Sequence, residues 1–273
     1  MSATSELTRP GAPGTGATAY LPQIEDVPAL SFTRLVGVEL RKLVDTRTGR
    51  WLLITILLLT AAVMAVTLWI GRQDGTGLFA LLTAANIPQA VLLPVLGVIT
   101  AANEWSQRTA LVTFTQEPRR LRVMGAKTVA VVLLGLAILL VTVLLAVVAH
   151  VVSMTRAGGE VDLWHGWSLV VGAVVLQTLG VLMGVAFGTL LLNVPLGIVL
   201  YFLTPTVASV LVVTTSWLRE HAAWFELGTA QLPLIGDGWM TGEQWAQLGT
   251  TSALWIGLPL AIGCWRVARR EVK

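Results

Sequence analysis

Long apolar stretches, separated by short segments that carry charges, glycine or proline, set the pattern of this chain. A helix needs about 20 mostly apolar residues to cross the hydrocarbon core of a bilayer. Residues 51–71 form such a stretch without a charged side chain, and it ends at Arg72. Five more stretches follow. The pattern therefore predicts an all-α membrane protein with six transmembrane helices, at about 51–71, 77–103, 128–152, 166–192, 194–216 and 248–265.

The fourth and fifth helices come from one uncharged block, residues 166–216, which is too long for a single span. Asn193 and Pro195 lie near its middle and favour a chain break, because proline does not fit inside a regular helix. The sequence therefore predicts two helices joined by a tight turn. Pro205 is a candidate kink in the second of them.

Residues 31–50, ahead of the first span, combine apolar and charged side chains at helical spacing. This spacing predicts an amphipathic elbow helix on the membrane surface, with Arg41 and Lys42 away from its apolar side. Glu39 falls close to that apolar side. Its carboxylate is expected either to reach past Lys42 to the surface or to meet a protein partner. The apolar side consists of Phe32, Leu35, Val36, Leu40, Leu43 and Val44.

Two segments between spans carry more apolar residues than simple connectors need. Residues 103–127 are expected to pack against another protein, and Pro118 divides them into two short helical pieces. Residues 218–247 contain several tryptophans, which favour membrane interfaces. Short interfacial or re-entrant helices are therefore predicted there, capping the outer end of the protein.

Composition agrees with a membrane protein. Of the 273 residues, 55% are hydrophobic and 12% are charged, about half the usual charged fraction of a soluble domain. The net charge is +3, but the basic residues flank apolar stretches instead of forming a surface for nucleic acid. The single cysteine, Cys264, excludes an internal disulfide framework. Residues 1–30 lack an apolar core and predict a disordered cytoplasmic tail.

Lysine and arginine are distributed unequally between the two sides of the predicted membrane. The N-terminal segment carries six, the 103–127 loop five and the C-terminal end four, whereas the opposite side carries three. Basic loops favour the cytoplasm. The protein is thus predicted to be a multi-pass plasma membrane protein. Both termini, including the tail at 267–273, and the 103–127 loop are expected to be cytoplasmic.

Three glycines recur at intervals of four residues in the fourth span, namely Gly180, Gly184 and Gly188. They share one helix face and allow another backbone to come close. This face is expected to be buried. It could be a seam that slides during transport or a static packing contact within the subunit.

Polar side chains inside the spans are candidates for lining a substrate pathway: Asn86, Gln89, Gln177 and Thr204. Interhelical hydrogen bonding is the alternative role for such residues. No Asp, Glu, Lys or Arg lies at mid-depth in a predicted span. This argues against a proton- or sodium-coupled transporter, whose coupling ion usually requires such a group.

Catalytic and cofactor motifs are missing from the sequence. A phosphate-binding loop needs two glycines at fixed spacing before Lys-Ser/Thr. Around Lys127-Thr128, Ala126 replaces the second glycine and Leu121 stands at the position of the first. His150, His165 and His221 lack metal-ligand spacing. No catalytic, cofactor or metal site is therefore predicted in this chain.

Taken together, these segments resemble the ABC-2 type transporter permeases, the membrane-spanning subunits of ABC exporters. The resemblance rests on Glu39 to Leu43 before the first span, Asn103-Glu104-Trp105 at the end of the second, Arg108-Thr109, and Pro118-Arg119-Arg120 ahead of Lys127. Thr109 matches a Gly-Thr pair that is common in the family. Arg108 replaces the glycine, which puts the geometry of this turn in question.

The resemblance implies partners as well as a fold. It implies a dimer with a second permease copy or paralogue, and a separate ABC ATPase that binds ATP and magnesium and docks on the 103–127 loop. Phe114, Leu121 and Met124 are expected at the centre of that contact, with Arg119 and Arg120 at its rim. Glu104 is expected to hold the loop against Arg41 or Lys42. The coupling residues predicted in this way are Glu104, Arg108, Thr109, Phe114, Pro118, Arg119, Arg120, Leu121 and Met124.

Two other functions fit the same sequence. One is a non-transporting membrane subunit that anchors or regulates an ATPase complex. The other is an intramembrane enzyme acting on lipids, for which Glu220, His221 and Glu226 are the leading candidates on the predicted outer side.

Overall fold

A computed structural model describes residues 30–161, 167–236 and 238–270 of the chain. Nearly all of the predicted tail at 1–30 lies outside these ranges, as do His165 and residues 271–273. Within the described ranges the secondary structure is helical. The helices are α1 (Phe32–Asp45), α2 (Arg47–Ile70), α3 (Leu78–Ser106), α4 (Ala110–Gln116), α5 (Arg120–Ala157), α6 (Trp167–Leu191), α7 (Val194–Thr214), α8 (Ser216–Glu220), α9 (Ala222–Phe225), α10 (Leu227–Gln231), α11 (Gly242–Ser252) and α12 (Leu258–Arg269).

Among the residues that the structure describes, six helices are long and apolar enough to cross a membrane, which agrees with the predicted number. Five of them are α2, α3, α5, α6 and α7. The sixth is a continuous helix from Gly242 to Arg269, in which a π-helical turn, Ala253–Gly257, joins α11 to α12. This helix is longer than the predicted 248–265 because Thr241 and Gln244 form a capping box that starts it earlier.

The segment ahead of the first span contains a helix, but its bounds differ from the predicted 31–50. Ser31 caps α1 by accepting a hydrogen bond from the Arg34 amide, and α1 ends at Asp45. Thr46 has extended backbone and caps α2, accepting from the Gly49 amide at 3.2 Å. The first membrane helix therefore begins at Arg47, within the segment predicted to be elbow.

The prediction of two short helices in 103–127 is half wrong. The first is α4. The second is the beginning of α5, which continues without a break over 38 residues. At 1.5 Å per residue α5 is about 57 Å long, nearly twice the hydrocarbon thickness of about 30 Å. One end of α5 therefore projects beyond the bilayer core.

The predicted break between the fourth and fifth spans is present. Leu192 adopts a left-handed conformation (φ 54°) after α6, and the Asn193 side chain accepts from the Leu196 amide at 3.1 Å to cap α7. Helix α7 continues through Pro205. Beyond the other end of α7, the carboxylate of Glu226 caps the short helix α10. Short helices do connect α7 to the last span there, as expected for 218–247.

The glycine face of α6 is a packing contact with α3, the helix that α6 contacts most extensively. A Cβ added at Gly184 would overlap the Pro94 carbonyl, and one at Gly188 would lie 2.8 Å from the Val98 carbonyl oxygen. From the other side, a Cβ at Gly97 would lie 2.6 Å from the Val181 carbonyl oxygen. The two backbones thus touch, and the glycine face is buried at Gly184 and Gly188. Gly180 is half-buried, against the Pro94 ring.

Candidate functional site

Four charged side chains meet at the end of the bundle where α3 ends and α5 begins, which we call the basic end. They form a closed ring of alternating charge: Glu39, Lys42, Glu104 and Lys127. Nζ of Lys127 lies 2.8 Å from Glu39 Oε2 and 2.9 Å from Glu104 Oε1. Nζ of Lys42 lies 2.7 Å from Glu39 Oε1 and 2.9 Å from Glu104 Oε1. This charge ring links α1, α3 and α5.

The charge ring is buried on one side and open on the other. The side chains of Glu39 and Lys127 are 4% and 5% exposed, whereas those of Glu104 and Lys42 are 15% and 41% exposed. The expectation that Glu39 reaches the surface or a protein partner is wrong, because both of its oxygens bind lysines of the same chain. The expected contact between Glu104 and Lys42 is present.

Electrostatics favour the charged form of Lys42. Burial lowers its pKa, but hydrogen bonds and Coulomb attraction to Glu39 and Glu104 outweigh burial, so its pKa lies above the ordinary value. The ring carries two positive and two negative groups and is neutral overall. Separating the members of such a buried group would leave charges uncompensated, which is costly. The ring therefore fixes the position of α1 relative to α3 and α5.

A cleft of about 330 Å³ lies beside the charge ring. All four ring residues line it, together with apolar side chains such as Ile99 and polar ones such as Asn103. Thr109 and Thr113 border it from the segment that contains α4. The cleft thus opens between α1, α3 and α4, with charges along one wall.

The turn from α3 to α4 keeps the geometry that a glycine would favour. Arg108 has φ 59°, in the left-handed region where glycine carries no steric penalty. The Thr109 amide donates to the Glu104 carbonyl at 2.8 Å and the Arg108 amide to the Trp105 carbonyl at 3.2 Å. This pair of bonds is a Schellman motif. Arg108 therefore occupies the left-handed position of this turn, where glycine is the usual residue.

Arginines and aromatic rings join α4 to the end of α12. The Trp105 and Phe114 rings are 5.7 Å apart, with Arg120 over Phe114 at 5.3 Å and Arg270 over Trp105 at 5.6 Å. Arg120 also donates hydrogen bonds to the carbonyls of Val267 and Arg270. The guanidinium of Arg120, expected at the rim of a partner contact, is thus engaged within the chain.

The remaining coupling candidates differ in exposure. Leu121 is 53% exposed, and Pro118 and Arg119 are exposed as well. Met124 is only 3% exposed and belongs to the core that α1 and α5 share, so its placement at the centre of a partner contact is wrong. Apolar side chains that are exposed on α4 are Leu111 and Val112.

Three of the four pathway candidates meet around a cavity of about 100 Å³ between α3, α6 and α7. Asn86, Gln89 and Gln177 line it, with Tyr201 and Gln231. Gln89 also donates to Thr142 Oγ1 at 2.7 Å, and Gln177 donates to the Gly135 carbonyl at 3.3 Å. The two glutamines therefore make interhelical hydrogen bonds, the alternative role expected for them.

Thr204 lies elsewhere. It lines a mainly apolar pocket of about 380 Å³ between α7, the short helices after it and Trp255. Glu226, at the edge of this pocket, accepts bonds from the Gly228 and Thr229 amides and has the geometry of a helix cap. His221 stacks on Trp217 with 4.8 Å between ring centroids. These contacts give Glu226 and His221 structural roles.

Sequence reasoning missed the partners of Glu39 and Phe114. In the sequence, Lys127 counts only as one of the basic residues of the 103–127 loop, and no pattern links Trp105 to Phe114 or Arg270. A signal was present, since Glu39 and Lys127 are single charges beside apolar residues on separate segments. Complementary charges of this kind pair when they are buried.

Comparison with known proteins assigns no family to the chain. No protein-family model matches it, and no curated protein matches it. The resemblance to ABC-2 permeases therefore stays a prediction. The charge ring, the cleft beside it and the exposed apolar side chains of α4 are the features from which function is inferred.

Proposed function

We propose that this chain is the membrane-spanning subunit of an ABC-2 type exporter, driven by a separate ABC ATPase that docks on α4 and the first turn of α5. The observation that carries the proposal is a short helix outside the long spans, held firmly by the chain while its apolar side chains face outward. Leu111 and Val112 on α4 are exposed, as is Leu121 on the first turn of α5. Together they form an apolar surface of the type that a partner protein covers.

The attachment of α4 supports a mechanical role. One end of α4 follows the Schellman turn at Arg108, directly beside Glu104 of the charge ring. Its other end carries Phe114, which contacts Trp105 and Arg120. A displacement of α4 by an ATPase is thereby transmitted to α1, α3 and α5. Rocking of these helices would alternate the access of a pathway between the two sides of the membrane.

Pairing with a second membrane subunit is supported by α7. Most of its large apolar side chains are exposed, among them Leu196, Val199 and Val207. Lipid or a second copy of the chain covers such a surface in a bilayer. In the proposed dimer the α7 helices line the interface.

The proposed orientation places the basic end in the cytoplasm, as the distribution of lysine and arginine favours. A cysteine introduced at Arg119, which is exposed, is then labelled by an impermeant maleimide only after the cells are opened. Labelling of this cysteine in intact cells would show that the proposed orientation is wrong. The docking surface would then lie outside the cell, where an ATPase that uses cytoplasmic ATP could not reach it.

The docking role is tested by copurification with candidate ABC ATPases from the same organism. Leu121→Asp places an unpaired charge in the proposed contact and is expected to abolish copurification. Leu232→Asp is the matched control, because Leu232 is similarly exposed, at 59% against 53%, at the opposite end of the bundle. It should leave ATPase binding unchanged.

Arg119→Ala separates protein docking from attraction to anionic lipid. Docking predicts a small effect of this change, because exposed rim charges contribute little. Lipid attraction predicts the reverse, with Leu121 dispensable and Arg119 needed. If Leu121→Asp and Leu232→Asp retain the ATPase equally well, the coupling role of this segment is wrong.

A further inference from the structure

We propose that the cleft beside the charge ring binds the headgroup of a phospholipid that carries both a phosphate and a primary ammonium. The shared chemistry of such a ligand is that of phosphoethanolamine. The site concerns lipid binding by the membrane subunit itself, so it does not depend on the proposed ATPase.

Two hydrogen-bonding groups of the ring remain available to a ligand. An ammonium has three donors, and Lys42 uses two of them on Glu39 and Glu104. Both lysines of the ring bind Glu104 through Oε1, and Oε2 of Glu104 has no partner among the described residues. By contrast, both oxygens of Glu39 are occupied, and Lys127 is nearly fully buried. The ring therefore offers one cationic and one anionic contact, side by side.

A ligand that satisfies both contacts is a zwitterion. Its phosphate accepts from Lys42, and its ammonium donates to Glu104 Oε2. An anionic headgroup without an ammonium would leave the Glu104 oxygen facing a phosphate, which costs free energy because like charges repel. Because the ring itself is neutral, it has no excess charge that would favour an anionic lipid.

The walls of the cleft distinguish a primary ammonium from a quaternary one. Choline groups are usually bound by aromatic rings through cation–π contacts. No aromatic side chain is among the described residues that line the cleft. Hydrogen-bond acceptors are present instead, at Thr113 and Asn103. A primary ammonium can donate to these oxygens, whereas choline has no N–H group.

The position of the cleft favours a lipid over a soluble molecule. The volume of about 330 Å³ is at the lower end of the range for small-ligand sites. The cleft lies where α2 begins and α3 ends, and the ends of membrane-spanning helices are where lipid headgroups meet a protein. Leu43, Leu96 and Ile99 give it an apolar wall.

Native mass spectrometry of the full chain in neutral detergent tests the site. The protein is titrated separately with phosphatidylethanolamine, phosphatidylcholine and phosphatidylglycerol of identical acyl chains. Wild type is expected to retain the ethanolamine lipid about tenfold more strongly than the other two, the size of effect expected from one charge-assisted hydrogen bond. Equal retention of the three lipids would overturn the proposal.

Three variants assign the binding to the cleft. Glu104→Gln should lose the preference for ethanolamine. Thr113→Trp should also lose it, because the indole fills part of the cleft while the ring stays intact. This variant keeps the test valid if Glu104→Gln fails to fold. Glu117→Gln is the control, because Glu117 pairs with Arg122 at 3.0 Å and does not line the cleft. Unchanged preference in Thr113→Trp would place the lipid elsewhere.

A soluble arm distinguishes the lipid from its headgroup. Free phosphoethanolamine is added to the lipid-bound protein at the same concentration as the lipid. Retention of the lipid supports a membrane ligand, held by its headgroup and acyl chains together. Complete displacement would show that the site takes a soluble zwitterion, and the assignment to a phospholipid would be wrong.

Discussion

Removing Lys127 is expected to destabilise the protein more than any change at an exposed lysine or arginine. Lys127→Met keeps a side chain of similar length but leaves the carboxylates of Glu39 and Glu104 facing Lys42 alone. Breaking a buried ion pair by removing one partner costs about 3–5 kcal/mol. Lys127 fits this case, since its side chain is 5% exposed and has two carboxylate partners within 2.9 Å.

The loss can be read from thermal unfolding in detergent. For a chain of roughly this size, about 1 kcal/mol shifts Tm by about 2–4 °C, so Lys127→Met should lower Tm by about 6–20 °C. Arg41→Met is the control on α1, because Arg41 is exposed and surface changes usually stay within about 0.5 kcal/mol. The effect of Lys127→Met should persist in high salt, since buried pairs are screened little.

A second change tests the reason for the loss. Glu39→Gln added to Lys127→Met restores a neutral arrangement, with Lys42 paired to Glu104. The double variant should therefore be more stable than the sum of the single changes predicts, by about 0.5–3 kcal/mol. Additive effects, or a loss below about 1 kcal/mol for Lys127→Met, would show that the ring behaves as an exposed ion pair.

Three further predictions concern the turn, the glycine contact and alkaline pH. Arg108→Gly should raise the free energy of unfolding by about 1 kcal/mol by removing left-handed strain, whereas Arg108→Ala should give no such gain in the same thermal assay. Gly184→Ala should cost about 1–3 kcal/mol, because its Cβ meets the Pro94 carbonyl; Gly37→Ala, with open space around it, should stabilise α1. The pKa of Lys42 is raised in the folded state, so its contribution is complete below its ordinary value of 10.5 and is lost as pH rises through the folded value. The Tm difference between wild type and Lys42→Met should therefore be constant at neutral and mildly alkaline pH and shrink only above that value.

Membrane crossing could be predicted because it is a local property of the sequence. A stretch of about 20 apolar residues must satisfy its own backbone hydrogen bonds in the bilayer, so hydropathy alone indicates a spanning helix. The break at Asn193 is similarly local, since its side chain caps the next helix three residues on. The glycine spacing in α6 indicated a close helix contact, and the structure identified α3 as the partner.

The arrangement of charges at the basic end depended on tertiary structure. Glu39 and Lys127 are separated by 88 residues, and no local pattern states which helices become neighbours. The same limit applied to Met124 and Leu121. They lie one helical turn apart, but only the packing of α1 against α5 decides that Met124 is buried while Leu121 stays exposed. Helix periodicity defines which residues share a face, whereas burial depends on which other element covers that face.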